Sequence, residues 1–370
     1  MFSSTVQWAR SRDAAALEDA ARGSTEREEA DVAGRRIAIL GSGAQGSGVG
    51  ADMIRAGLDV TFVEQWPAHV EAMRARGVEV RLPEEVQVTP VQAMHLCEVA
   101  TLRERFDLVF LVVKAYDTRW ACELIKPVLA DDGLVVGLQN GMTMDDIASV
   151  VGVHRTVGAV IEMASNMFEP GIVNRENAPS SAWFAVGAAD PANRHREQEV
   201  WDALHHAGTV EVSDDIRSSK WMKLVANAGE LVPSAILGLP LADAAALPGV
   251  REFMDRCCRE AAQATVASGS RLKAVFGLTE AEVTAPEVYA PALLDVVLQR
   301  FSSPTTRTTV LQDWMKGRRA EVQEINGHVV RVMEAAGLEA PANRRTVELA
   351  LRIEAGELEA GPGNAEALLA

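Results

Sequence analysis

A short apolar run, Arg36-Ile37-Ala38-Ile39-Leu40, leads directly into Gly41-x-Gly43-x-x-Gly46, and a helix-compatible segment leaves it. Each glycine has its own job in such a turn. Gly41 permits the tight exit from a strand, Gly43 lets the backbone approach a pyrophosphate, and Gly46 lets the following helix lie close on the sheet. The anion would rest on the helix N-terminus, where free N–H groups and the macrodipole favour negative charge. A glycine run alone is a weak signal. Here it has its strand before it, its helix after it and an acid closing the next strand, which together predict a dinucleotide site lined by Gly41, Gly43, Ala44, Gln45 and Gly46.

That acid is Glu64, at the end of Leu58-Asp59-Val60-Thr61-Phe62-Val63-Glu64. A carboxylate there accepts hydrogen bonds from the adenosine ribose and repels a 2′-phosphate. The residues that follow are Gln65, Trp66 and Pro67, and no basic side chain comes before Arg74. Glu64 and Gln65 therefore predict NAD in preference to NADP.

At 370 residues the chain exceeds one ordinary core, so two domains are expected. The formal net charge of −16 argues against nucleic acid or an anionic membrane as partner and leaves a small molecule. No membrane span and no basic-then-apolar leader is evident, and the four cysteines show no paired spacing. A cytoplasmic protein without a metal site is the expectation.

Residues 1–34 read as an acidic extension, helical over Ser11 to Ala21. Strand–helix alternation starts at Arg36. A helix is expected near Ala68–Arg76, with strands near Val78–Arg81 and Val86–Val88. Asp107–Val113 reads as a buried strand and Thr118–Leu129 as a helix ended by Asp131-Asp132-Gly133. Another buried strand, Leu134–Leu138, runs into Gln139-Asn140-Gly141. Alternating runs between Thr156 and Gly187 suggest antiparallel strands appended to the parallel sheet, and Thr209–Val212 reads as the last strand. Beyond it the periodicity is helical, punctuated at Pro233, Gly238-Leu239-Pro240, Pro248-Gly249 and Pro304. The prediction is an α/β chain: a Rossmann-type doubly wound sheet over 35–212 and an all-helical domain over 213–370. The active site is expected in the crevice at the carboxyl ends of the strands.

Hydride transfer to a carbonyl creates an alkoxide, which needs a proton donor or fixed positive charge beside it. Lys223 and Asn227 lie four apart on one predicted helix face, and Glu321 and Ile325 on another. A lysine suits the role, although a lone helical lysine also snorkels to solvent. Whether Lys223 and Glu321 meet stays open at this level.

These segments, in this order, resemble the ketopantoate reductase family (2-dehydropantoate 2-reductases) from Arg36 to about Leu358. The resemblance rests on Gly41-Ser-Gly-Ala-Gln-Gly46, Val113-Lys114-Ala115-Tyr116, Gln139-Asn140-Gly141-Met142 and Lys223-Leu-Val-Ala-Asn227. It is completed by Leu311-Gln-Asp313 followed by Glu321-Val-Gln-Glu-Ile-Asn326-Gly327. It implies Lys223 as general acid and Glu321 as the acid that positions it. Asn140 and Asn227 would contact cofactor and substrate, and Lys114 would lie near the cofactor. Thr309 stands where the family usually has a substrate-binding serine. A homodimer is also implied.

Three departures bear on substrate. Leu231 replaces the family's second asparagine, Glu230 brings a carboxylate to the same segment, and Arg307 offers a possible carboxylate clamp. An unpaired substrate group opposite Leu231 would cost about 1–3 kcal/mol. The reading that results is an NAD(P)-dependent oxidoreductase interconverting a 2-oxo acid and a 2-hydroxy acid, with ketopantoate a poor substrate. A dehydrogenase oxidising a bulkier secondary alcohol and a non-enzymatic dinucleotide sensor are the alternatives. Retention of Lys223, Asn227 and Glu321 weighs against the sensor.

Overall fold

The structure is a computed structural model that describes residues 34–300 and 305–370. The predicted helix over Ser11 to Ala21 and the break at Pro304 lie outside those residues. Strands β1 (Arg36–Leu40), β2 (Asp59–Glu64), β3 (Val78–Arg81), β4 (Val86–Thr89), β5 (Gln92–His95) and β6 (Phe106–Leu111) form the first half of the α/β region. Strands β7 (Leu129–Leu138), β8 (Thr156–Glu162), β9 (Ser165–Glu169), β10 (Ile172–Arg175), β11 (Trp183–Ala188) and β12 (Thr209–Val212) form the second. Helices α1 (Ala44–Arg55), α2 (Pro67–Arg76), α3 (Thr118–Ile125), α4 (Met144–Val151) and α5 (Glu197–Leu204) connect them.

An eight-stranded sheet runs in the order β12-β11-β8-β7-β6-β1-β2-β5. From β5 to β8 the neighbours pair in parallel; β11 pairs antiparallel with β8, and β12 runs parallel to β11. Chain order reverses on either side of β1, so the switch point of the sheet opens above Gly41. Ile37, Ile39, Leu108, Phe110 and Val136 face one buried layer, and Ala38, Leu40, Val109, Leu111 and Val135 face the other. Burial on both faces is why these strands read as unbroken apolar runs.

Several expectations change. The β9–β10 hairpin does not extend the main sheet; with β3 and β4 it forms a second sheet in the order β4-β3-β10-β9. Asp131-Asp132-Gly133 is not a helix stop but part of β7, which begins at Leu129. Phe106 pairs with Leu129 and Leu108 with Leu134, so the acidic residues bulge from the ladder into solvent. The helix expected over Thr118–Leu129 ends at Ile125 and tightens into a 3-10 turn over Lys126–Val128. Edge strand β5 lacks the alternation that would have announced it.

From Ile216 the chain is helical. Helices α6 (Ile216–Ile236), α7 (Leu241–Ala245), α8 (Val250–Ala267), α9 (Pro286–Arg300), α10 (Thr309–Met315), α11 (Asn326–Ala335), α12 (Pro341–Glu354) and α13 (Ala365–Leu369) share one core. Pro233 does not break α6; it lies inside it, where burial on all sides of the helix outweighs the lost N–H. Gly229 lets α6 approach α8, since a Cβ there would lie 2.2 Å from Cys258 Sγ.

Arg175 of the small sheet ties that sheet to α1. It is 2% exposed, donates to Asp52 Oδ2 at 2.5 Å and to the Ala207 carbonyl at 2.9 Å. Burial raises the Asp52 carboxyl, and the Arg175 charge opposes that rise. Arg175→Ala is expected to cost on the order of 3 kcal/mol, the low end for a broken buried pair because Arg55 still faces Asp52. Urea denaturation checks this, and a loss below about 1 kcal/mol would show that the pair is dispensable.

Candidate active site

The glycine turn has the geometry its spacing requires. Gly41 sits at φ +94° and donates its N–H to Val63 at 2.9 Å. A Cβ on Gly46 would lie 2.3 Å from the Gly41 carbonyl, whereas one on Gly43 would meet nothing within 4 Å. Gly43 therefore presents bare backbone to open space at the start of α1, as pyrophosphate binding demands.

Glu64 closes β2, but its carboxylate is already engaged. One oxygen accepts from the Ser42 N–H at 2.6 Å and hydroxyl at 3.0 Å, and the other from the Trp66 N–H at 2.9 Å. It holds the glycine turn in place from below, while Gln65 is exposed. A basic group does reach this region from far along the chain. The Arg318 guanidinium lies 5.3 Å from the Trp66 ring centroid.

Two adjoining cavities, both open to solvent, occupy the crevice. Gly43, Ala44, Gln45, Gly46, Lys114 and Arg318 line the first; Lys223, Glu230, Leu231 and Arg307 line the second. Gln45, Asn140 and Thr309 border both, so the two cavities abut at Asn140.

The expected partnership of Lys223 with Glu321 does not form. Glu321 lies in a turn between α10 and α11, not on a helix face, and serves the other cavity. Its Oε1 accepts the Ala115 N–H at 2.7 Å, and its Oε2 lies 3.4 Å from Lys114 Nζ. Lys114 also donates to Asp313 at 2.6 Å. Burial opposes the charge on Lys114, but Glu321 and Asp313 outweigh it and hold the ammonium above its ordinary range.

Lys223 donates instead to Glu162, at the carboxyl end of β8. Burial opposes its charge too, and the carboxylates of Glu162 and Glu230 more than restore it. Glu230 is buried, and desolvation pushes its carboxyl up to about 7 against the pull of Lys223. Asn227, one turn beyond Lys223, donates to Asn140 Oδ1 at 3.2 Å, and its own Oδ1 has no partner among the described residues. The Thr309 hydroxyl is likewise without a partner among them. Leu231 is buried at the second cavity, and Arg307 is exposed at its rim.

Sequence reasoning missed Glu162, Lys220 and Arg318. For Glu162 a signal existed, because the carboxyl end of a parallel strand is where crevice residues sit. For the other two there was none.

The ketopantoate reductase PanE/ApbA family matches residues 37–189, and its C-terminal region matches residues 215–354. The chain belongs to the ketopantoate reductase family. The 2-dehydropantoate 2-reductase of Archaeoglobus fulgidus is 28% identical over 326 residues, spanning 87% of this chain and 99% of the relative. That of Pyrococcus horikoshii is 26% identical, spanning 83% and 94%. Among solved structures, a PanE/ApbA family ketopantoate reductase from Ralstonia eutropha JMP134 superposes with TM-score 0.73 at 28% identity, covering 87% of this chain and 99% of that one. A D-mandelate dehydrogenase with NADH and anilino(oxo)acetate superposes with TM-score 0.78 at 20% identity, covering 87% and 98%; at that identity the likeness is one of fold. This ketopantoate reductase family member is thus an NAD(P)-dependent oxidoreductase acting on CH–OH groups.

One buried cation stands outside the carboxylate pairs. Lys220, 3% exposed, donates to the carbonyls of Gln139 at 2.9 Å and Ala159 at 3.0 Å, tying α6 to the ends of β7 and β8. Burial lowers its pKa from 10.5 to about 7. Between those values the unfolded chain binds more protons than the fold, so stability rises with pH across that window and gains nothing from this group below it. Lys220→Met should flatten that rise by a few kcal/mol between pH 7 and about 10. Denaturation midpoints of the two proteins across pH test it; parallel curves would refute the assignment.

Proposed function

We propose that this chain interconverts a 2-oxo acid and a 2-hydroxy acid, with Lys223 as the general acid and base. The observation that carries the reading is the juxtaposition at Asn140: a glycine turn open to a pyrophosphate on one side, and a lysine held protonated by carboxylates on the other. A nicotinamide dinucleotide held at Gly41, Gly43 and Gly46 would supply or take up the hydride. Lys223 gives its proton to the carbonyl oxygen in reduction and takes it back in oxidation. Glu162 orients the ammonium and keeps it charged, the task expected of Glu321. Asn227 and Asn140 orient the reacting carbon between the cavities, and the Thr309 hydroxyl is free to accept or donate to substrate. Lys114, held by Asp313 and Glu321, sets a fixed positive charge in the dinucleotide cavity.

Glu64 supports NAD over NADP, since its carboxylate would confront a 2′-phosphate. The curated relatives are 2-dehydropantoate 2-reductases; here Leu231 and Glu230 alter the wall such a substrate would meet, which disfavours ketopantoate itself. A homodimer is the proposed assembly, as in the dimeric ketopantoate reductase from Staphylococcus aureus. Four free cysteines suit a reducing cytoplasm.

Lys223→Met is expected to lower kcat by about 10²–10⁴-fold while NADH affinity stays within a few-fold. Near-normal turnover in that variant would place proton donation elsewhere. In Glu162→Gln the lysine loses a carboxylate that raises its pKa, so the alkaline limb of the pH–rate profile for reduction should move to lower pH. An unmoved limb would reduce Glu162 to a structural contact.

For the cofactor, fluorescence titration should show tighter binding of NADH than NADPH, with the gap narrowing in Glu64→Ala. Equal affinities in the wild type would mean that Arg318 compensates for Glu64.

A further inference from the structure

Glu230 differs from every other acid at the crevice. It is 6% exposed and lines the second cavity, and its carboxyl group has no hydrogen-bond partner among the described residues. Only its backbone carbonyl is used, by the Ser234 hydroxyl at 2.5 Å. The lysine that would be its natural partner is taken by Glu162. A buried carboxyl left unmatched is costly, and its cost is recovered when a ligand supplies the missing donor.

The charge balance indicates which donor. The inner wall holds Glu162, Glu230 and Lys223, one negative charge in excess when all are ionised. Arg307 and Glu176 line the same cavity but are exposed and solvent-screened. Ile161, Met163, Leu231, Leu241 and Val297 supply the apolar part of the wall, and its polar members Asn227 and Thr308 donate to Asn140 and to the Leu231 carbonyl, not to this carboxyl. A hydroxyl would satisfy one oxygen; an ammonium would satisfy the oxygen and the charge together. Burial, with a smaller push from the Glu162 carboxylate, holds the Glu230 carboxyl up at about 7 against the pull of Lys223, and an arriving cation opposes that rise. Lys223 and Glu230 lie seven residues apart on α6, two turns along one face. A substrate carbonyl at Lys223 therefore carries its substituent along the helix toward Glu230.

Resting on the hydride-transfer reading above, we infer that Glu230 is a specificity-determining residue that pairs with a protonated amine on the substituent of the carbonyl carbon. The substrate class is then an amino-substituted 2-oxo or 2-hydroxy acid, with Arg307 at the rim available to its carboxylate.

The test uses the full-length enzyme with NAD and pairs of 2-hydroxy acids matched in shape. 4-Amino-2-hydroxybutanoate is compared with 2-hydroxypentanoate, and 5-amino-2-hydroxypentanoate with 2-hydroxyhexanoate. 2,4-Dihydroxybutanoate serves as the hydroxyl control. The expected result is a kcat/KM at least tenfold higher for the better amine than for its methyl isostere, a ratio that collapses toward one in Glu230→Gln. A neutral isostere or the hydroxyl control equal to the amine overturns the inference, as does a ratio that survives Glu230→Gln.

Calorimetric titration of the NADH-loaded enzyme with the same pairs separates the two claims. Preferential amine binding without turnover of any acid supports the role of Glu230 and defeats the reaction reading. Turnover of simple 2-hydroxy acids with no amine preference in rate or binding does the reverse. Should Glu230→Gln fail to fold, the wild-type ratios and titrations decide alone.

Discussion

The crevice depends on buried charges of the helical domain that find their partners at the carboxyl ends of the sheet. Glu321 accepts the Ala115 N–H and faces Lys114, Asp313 takes the same lysine, and Lys223 reaches across to Glu162. Removing one member of such a pair strands the other in a poorly solvated site, at a cost of several kcal/mol. Lys220 adds two bonds to strand carbonyls from the same helix. These contacts fix how α6 and the α10–α11 turn approach the strands, and so fix the distance between the glycine turn and Lys223. The buried layers on both faces of the sheet and the core of the helical domain stabilise each domain, but this polar seam sets their relation.

The seam also divides the crevice by charge. In a chain of net charge −16, the dinucleotide cavity gathers Lys114, Lys316 and Arg318 around the glycine turn. That local reversal suits an anionic cofactor, which would otherwise meet an unfavourable field. The second cavity keeps Glu162 and Glu230 against a single buried lysine. An anionic ligand on one side and a hydrogen-donating one on the other are what this division favours. Glu64 contributes to neither balance directly, because its oxygens are spent on Ser42 and Trp66.

What could be read along the chain was what depends on near neighbours. Burial on both faces made β6 and the end of β7 continuous apolar runs. The jobs of Gly41, Gly43 and Gly46 follow from a turn only a few residues long. Helical periodicity beyond Asp214 marked the second domain, and the spacing of Lys223 and Asn227 placed them on one face of α6. Even the failures among the elements were local: a bulge absorbed Asp131 and Asp132, and a well-packed helix tolerated Pro233.

The sequence by itself determined the dinucleotide-binding βαβ unit, the helical second domain and the family to which the chain belongs. Only the tertiary structure decided which acid serves which lysine. Glu162 lies 61 residues from Lys223, and Arg318 more distant still from Trp66, so no periodicity could announce either contact. A charge interacts strongly only over a few ångströms. Pairing is therefore settled by where whole elements come to rest, and that is why Glu321 went to Lys114 and left Lys223 to Glu162.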